Sequence, residues 1–302
     1  MDREHGGSWG RGKLYVVATP IGNLGDITLR ALEVLRAVDT VFAEDTRDTQ
    51  RLFAHHGVAT RLAPLHEHNE REAARAIETL LARGRDVALV TDAGTPGVSD
   101  PGALAVAELR RAGFQTVPVP GPNAAVAALS VAGFDGPFAF IGFLPPKRQA
   151  RRKALEAWRA FPHALVFYEA PHRILDSVDD LSSTLGSDRT LVLARELTKI
   201  FETVHTCPLG EARRWLEEDP NRQRGEFVVI VSGATRTTDG REAEGERVLA
   251  TLLDELPVKA AVRLAVAITG AARNALYKRA LQLQQRPRKS QRSVRTQRAQ
   301  RK

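Results

Sequence analysis

Two stretches of this 302-residue chain gather side chains able to hold a small molecule or move a proton. In Thr91-Asp-Ala-Gly-Thr-Pro-Gly-Val-Ser-Asp-Pro-Gly102, Gly94 and Gly97 allow positive φ and a close backbone approach to a ligand. Asp100 reads there as a helix N-cap and Pro101 as a first helical residue. Glu44-Asp-Thr-Arg47 sets two acids and an arginine side by side. They suit the positioning of a polar substrate or a proton, or else an N-cap at Asp45 or Thr46 with a surface ion pair. His66-Glu-His-Asn-Glu70 has the composition of a metal pair, but His-x-His without a third ligand nearby gives no expectation of a metal. Three further clusters carry charge: Glu169-Ala-Pro-His-Arg173, Arg195-Glu-Leu-Thr-Lys199 with Glu202, and Gly225-Glu-Phe227. Each alone reads as a solvated charge set. No Gly-x-x-x-x-Gly-Lys-Ser/Thr loop occurs, so a P-loop phosphate site is not expected, and Gly-x-Gly-x-x-Gly is missing after the first strand.

The elements that must position these groups alternate between strand and helix. Strands are expected at 14–19, 40–44, 61–65, 87–91 and 114–119, and helices at 28–38, 46–56, 70–83 (closed by Gly84) and from Ala103 to Arg111. That alternation implies a parallel sheet with helices on both faces and ligands at the carboxyl ends of its strands. Ala18-Thr-Pro-Ile-Gly-Asn-Leu-Gly-Asp26 then forms a stiff loop beside the Thr91–Gly102 loop. Pro118-Val-Pro-Gly-Pro122 is the expected break between domains. Beyond it, strands are expected at 138–143, 164–168, 189–195 and 226–232, with helices at 123–131, 149–160, 171–185 and 209–218 and a partly antiparallel sheet. The polar run 233–240 reads as a linker. Helices near 242–255, 257–268 and 270–283 follow, with a helix–turn–helix rhythm about Thr269-Gly270.

Hydrophobic residues make up 43% of the chain and charged residues 26%, ordinary for a globular protein with a core. The lone Cys207 excludes a disulfide within the chain and fits a reducing cytoplasm. No apolar run has the length of a membrane span, and the first ten residues lack a secretory core. The net charge of +8 sits in one place: Arg286 to Lys302 holds eight Lys/Arg and no acid, and the rest of the chain is formally neutral. This tail is expected to be disordered and reads as an arm on nucleic acid or as a solvated extension.

Nine loops, taken in order, resemble the tetrapyrrole-methylase superfamily of S-adenosylmethionine-dependent methyltransferases. They are Ala18–Asp26, Ala43–Arg47, His66–Glu70, Thr91–Gly102, Pro120-Gly-Pro-Asn-Ala124, Gly142-Phe-Leu-Pro-Pro-Lys147, Tyr168–Arg173, Arg195–Lys199 and Gly225–Phe227. The resemblance covers about residues 13–283. Within the superfamily the loops are similar to the branch that methylates a cytidine ribose 2′-hydroxyl in the decoding region of 16S ribosomal RNA. The resemblance implies an α/β fold of two domains (13–121 and 122–233), a linker at 234–241, a small helical segment at 242–285, and flanks at 1–12 and 286–302. It implies S-adenosylmethionine in the interdomain cleft, a homodimer, and 16S rRNA within the small ribosomal subunit as partner.

On that resemblance Pro20, Asp92, Gly94, Thr95, Val98 and Ser99 line one side of the cofactor, and Ala124, Ala125, Tyr168 and Leu197 the adenosyl side. Methyl transfer from a sulfonium is an in-line displacement governed by positioning, and a ribose hydroxyl benefits from a proton acceptor. Asp45 or Glu44 is nearest that role, with Arg47 and Arg173 placing phosphate or ribose. Glu196, Glu169 and His172 are second candidates, together with Lys147 and Lys199. His66, His68, Asn69, Lys147, Lys199, Arg273 and Lys278 are expected on the RNA. Two other readings stand beside this one: a tetrapyrrole or protein methyltransferase of the same fold, and a non-catalytic nucleic-acid-binding regulator built on the C-terminal helices.

Overall fold

The structure, a computed structural model, describes residues 12–234 and 238–285. The expected N-terminal flank up to residue 11, residues 235–237 of the linker and the basic tail from 286 lie outside the described residues. The chain divides into two compact units, one ending at Ala234 and one beginning beyond it.

The first unit opens with β1 (Leu14–Val17), α1 (Leu29–Ala37), β2 (Thr40–Ala43), α2 (Thr46–His56), β3 (Arg61–Pro64), α3 (Glu70–Ala82), β4 (Val87–Val90), α4 (Ala103–Arg111) and β5 (Thr116–Val119). Its sheet is parallel throughout, in the order β3-β2-β4-β1-β5. The central β2 and β4 are buried along their whole length, which is why they read as unbroken apolar runs. Pro118 belongs to β5, an edge strand where a missing N–H is tolerated. Leu35, Val41, Phe53 and Val90 fill one face of the sheet, and Leu14, Ile77, Leu89 and Leu109 the other.

The chain continues through α5 (Ala124–Ala132), β6 (Phe138–Phe143), α6 (Arg148–Glu156), β7 (Ala164–Glu169), α7 (Ile174–Leu185), β8 (Thr190–Arg195), β9 (Thr203–Pro208), α8 (Ala212–Glu217) and β10 (Phe227–Val231). The second sheet runs β6-β7-β10-β8-β9, with β6 parallel to β7 and the other pairs antiparallel. The antiparallel portion expected from sequence is therefore present. The edge strand β9 was not expected. Its half-exposed alternation of Thr, Val, His, Thr and Cys lacks the apolar run by which its neighbours are recognised.

The second unit holds α9 (Thr238–Leu252), α10 (Val258–Thr269) and α11 (Arg273–Gln285), packed about Leu249, Val262 and Leu276. Gly270, at φ +67°, closes α10 and makes the expected turn.

One expectation is corrected. Asp100 and Pro101 do not start α4; the turn falls at Gly102, φ +113°, where a Cβ would lie 2.7 Å from Leu89 Cδ2. No side chain of α4's own N-terminal turn caps it. Glu70 does so from α3, its Oε1 accepting from the N–H groups of Gly102 and Ala105 at 3.0 Å each. A carboxylate at the positive end of a helix, holding two otherwise orphan donors, is worth about 2 kcal/mol. Glu70→Ala is expected to lower the unfolding free energy by roughly that amount in denaturant titration, while Glu70→Gln keeps part of it; an alanine variant as stable as the parent would refute the cap.

Candidate active site

The loops after β1, β2 and β4 meet at the carboxyl edge of the first sheet, and three contacts tie them together. Thr19 and Gly94 exchange backbone hydrogen bonds of 2.9 and 3.0 Å, and Thr19 Oγ1 donates to Thr91 O at 3.0 Å. Asp92 Oδ1 accepts from Asp45 N at 2.8 Å. Gly94 and Gly97 do adopt positive φ, and so does Ser99, at +66°. A non-glycine residue held there costs about 1–3 kcal/mol and persists only where its surroundings enforce it.

Facing these loops, the second sheet contributes the ends of β6, β7 and β8, the start of β10 and the start of α5. Together they enclose a cavity of about 350 Å³. Of the residues expected on a cofactor, Gly94, Thr95, Val98, Ser99, Ala124, Tyr168 and Leu197 line it. Pro20, Asp92 and Ala125 do not; Ala125 donates its N–H to Tyr168 Oη at 3.2 Å and so orients the ring. Phe140 and Phe143 pack edge-on against the same ring, with centroids 4.9 and 5.6 Å away. Glu196 and Thr198, on either side of Leu197, both hold positive φ. The sequence reading missed Asp100, Ile21, Asn123, Phe143 and Glu226 as cavity residues.

Several side chains expected on the reaction or on RNA are committed elsewhere. Asp45 caps α2 and grips Arg47 at 2.5 Å, which holds its carboxyl well below the usual carboxylate range. Arg47 is otherwise exposed. Arg173, largely buried, pairs with the buried Glu169 at 3.2 Å, and Glu169 also accepts from Ser177 Oγ. Lys199 Nζ is shared by Glu196 at 2.9 Å and Glu226 at 2.8 Å, while its stem crosses Gly22. Asn69 closes its own turn through His66 N and Pro64 O. His66, His68, Lys147, His172, Arg273 and Lys278 face solvent. Among the described residues no group of three or more His, Cys, Asp or Glu is placed to hold a metal, and no helix is long and apolar enough to cross a membrane.

Asp100 stands apart. It lines the cavity and makes no hydrogen bond or ion pair among the described residues. Burial first, then the Glu44 and Asp92 carboxylates, push its pKa up to about 7. Glu44 is raised by burial and by Asp92, and Asp92 by burial and by Asp48 and Asp45. The cavity thus has an acid that changes charge near neutral pH.

Family models match the chain in two places. Residues 13–213 match that of the Tetrapyrrole (Corrin/Porphyrin) Methylases, and residues 239–284 match that of the RsmI C-terminal HTH domain. Ribosomal RNA small subunit methyltransferase I of Escherichia coli O157:H7 is 51% identical over 91% of this chain and 96% of its own length. The protein of the same name from Pseudomonas aeruginosa is 52% identical over 90% and 98%. Among solved structures, uroporphyrin-III-C-methyltransferase from Thermus thermophilus aligns with TM-score 0.52 and 25% identity, over 74% of this chain and 94% of that one. Diphthine synthase aligns with TM-score 0.58 and 20% identity, over 74% and 91%, a likeness of fold alone.

A raised carboxylate pKa has a definite consequence for stability. Between the unfolded value near 3.8 and the folded value of about 7, the folded chain binds more protons than the unfolded one. Stability therefore falls as pH rises through that window. Asp100→Asn is expected to melt higher than the parent at pH 8, with the gap closing towards pH 4; a gap that is the same at both pH values would contradict the assignment.

Proposed function

The chain belongs to the tetrapyrrole (corrin/porphyrin) methylase family, and on that premise we propose that it transfers a methyl group from S-adenosylmethionine to 16S ribosomal RNA of the small subunit, at a cytidine ribose 2′-hydroxyl in the decoding region. The observation that carries the RNA substrate is the half-identity, over nine tenths of the chain, with proteins named ribosomal RNA small subunit methyltransferase I. The match of the last helices to the RsmI C-terminal domain favours this substrate over a tetrapyrrole or a protein residue. The reading includes a homodimer working in the cytoplasm on the ribosomal subunit.

The cavity fits the cofactor. Its volume lies within the range of small-molecule sites, and Ile21, Leu197 and Val228 give it an apolar wall. Ala124 is part of that lining, and a larger side chain there would take up cavity space. Glu44 and Asp92, near enough to act on Asp100, add negative charge beside the cavity that suits a ligand carrying positive centres. Adenosylmethionine, when bound, supplies the methyl group and a neutral thioether leaving group.

The chain's own part is to hold, orient and deprotonate. The Thr19–Gly94 bridge and the bond from Thr95 Oγ1 to Pro122 O at 3.2 Å fix the loop backbone against the cavity. Asp100 accepts the proton of the ribose hydroxyl; a base with a pKa near the working pH is the effective one, and it is free of partners. Glu44 stands behind it, and Asp45, neutralised by Arg47, holds α2 in place. His66, His68, Lys147, Arg273 and Lys278 are exposed and free to meet RNA, and Arg47, exposed but paired with Asp45, meets it only with the donors that pair leaves. Lys199, Asn69 and Arg173 act as braces.

Calorimetry with adenosylmethionine, followed by methylation of small subunits from a strain lacking the protein and mapping of the modified nucleotide, tests the reading. A single methylated ribose in the decoding region is expected; no cofactor binding, or methylation of a porphyrinogen instead, would refute it. Asp100→Asn should lower kcat roughly 100-fold or more, flatten a pH profile that rises through about 7, and leave cofactor Kd nearly unchanged. If Kd rises as steeply as kcat falls, Asp100 holds the cofactor instead of the proton.

A further inference from the structure

The segment that leaves the cavity after Phe143 runs straight into a crowded set of cations. Five basic side chains lie between Lys147 and Lys153: Lys147, Arg148, Arg151, Arg152 and Lys153. At their centre is Asp180 of α7, wholly buried. Arg151, itself 2% exposed, reaches it with Nη2 at 2.7 Å and Nε at 2.8 Å and donates its Nη1 to Pro146 O. That pair already satisfies the buried charge. Yet Arg148 and Arg152 also turn their Nε atoms onto Asp180 Oδ1, at 3.2 and 2.9 Å, with side chains 68% and 45% exposed. Arg152 is steadied further by Ser183 Oγ at 2.7 Å.

Three guanidinium groups on one carboxylate repel one another, and a second and third add little to a pair that one has neutralised. The neighbouring acids do not restore balance. Asp179 is taken by Arg213 at 2.5 Å, and Asp176 lines a separate hollow with His172 and Pro220. Glu156 lies against Arg159. Arg148 and Arg152, four apart on one helix face, are thus held with partly exposed guanidinium groups whose remaining N–H donors suit phosphate oxygens.

We infer that the exposed face of α6 at Arg148 and Arg152, anchored through Asp180, is a binding surface for the sugar–phosphate backbone of the substrate RNA. This rests on the proposed RNA substrate and names where the strand runs beyond the reacting nucleotide. Phe143 lines the cavity, Leu144 O is held by Arg173, Pro146 O by Arg151, and Lys147 then opens the basic face. Backbone contact of this kind positions the strand without reading its sequence.

The test uses the full chain and an in vitro transcript of small-subunit RNA, with binding measured across a salt series. Arg148→Ala/Arg152→Ala leaves the Arg151–Asp180 anchor intact. The slope of log affinity against log salt should become shallower by about 0.7 to 0.9 for each phosphate that the variant no longer neutralises. The adenosylmethionine Kd and the melting temperature should stay at parental values, and Arg148→Lys/Arg152→Lys should recover part of the slope. A double alanine variant with unchanged slope and affinity would overturn the inference. So would weaker methylation with unchanged binding to the free RNA, which would assign the face to a protein of the subunit. A parent chain that neither binds this RNA nor methylates small subunits would instead remove the proposed substrate, which separates the two failures.

Discussion

The loop between β4 and α4 is pinned along its length by groups from several other segments, and these ties shape one wall of the cavity. At its start Thr19 and Gly94 bridge the first two loops, and Asp92 takes the N–H of Asp45. At its end Glu70 holds Gly102 and Ala105. In between, Ser99 lies against Gly142, where a Cβ would come within 2.9 Å of the serine Oγ. Ordering backbone costs about 1–2 kcal/mol per residue, and each hydrogen bond returns about 1 kcal/mol net. A loop with positive φ at Gly94, Gly97 and Ser99 needs all of these ties to keep one shape.

The same logic closes the opposite wall. Lys199 would be an obvious candidate for an anionic substrate, but it spans Glu196 and Glu226 while its carbon stem crosses Gly22 of the β1 loop. It therefore joins a loop of the first sheet to two strand ends of the second. Leu197 is held between two residues of positive φ so that it faces the cavity. Strain and ion pairing here serve position, and none of the groups involved has to touch a reacting atom.

Much of this was legible in the sequence because it follows from periodicity. Helix α2 spans Thr46–His56 and strand β6 spans Phe138–Phe143, as their patterns predict, since each carries a clear apolar period and a cap or turn at its ends. The ligand loop was legible from its glycines. What was not legible was the partner of each charged side chain, which depends on residues tens of positions away. Asp100 precedes a proline and looks like a helix cap, but the cap comes from Glu70 and the aspartate is released into the cavity. Arg47 looks free until its own neighbour two residues back takes it. Strand β9 escaped because an edge strand needs no continuous apolar run.

Charge of opposite sign is kept in separate places, and the separation has a consequence for how a polyanion is received. Asp100 lines the cavity, Glu44 and Asp92 stand near enough to raise it, and Asp92 raises Glu44, a cost that a cation or a proton relieves. A phosphate driven into that space would meet the same repulsion with nothing in return. On α6 the imbalance is reversed, with three arginines against one buried carboxylate. On the proposed reading, a strand lies on the cations with its phosphates and is repelled by the acids. The part able to enter the cavity is then an uncharged hydroxyl, and the group it meets there is an aspartate poised near neutral pH. Specificity for ribose over phosphate then follows from the sign of the field at each end of one short connection, before any base is read.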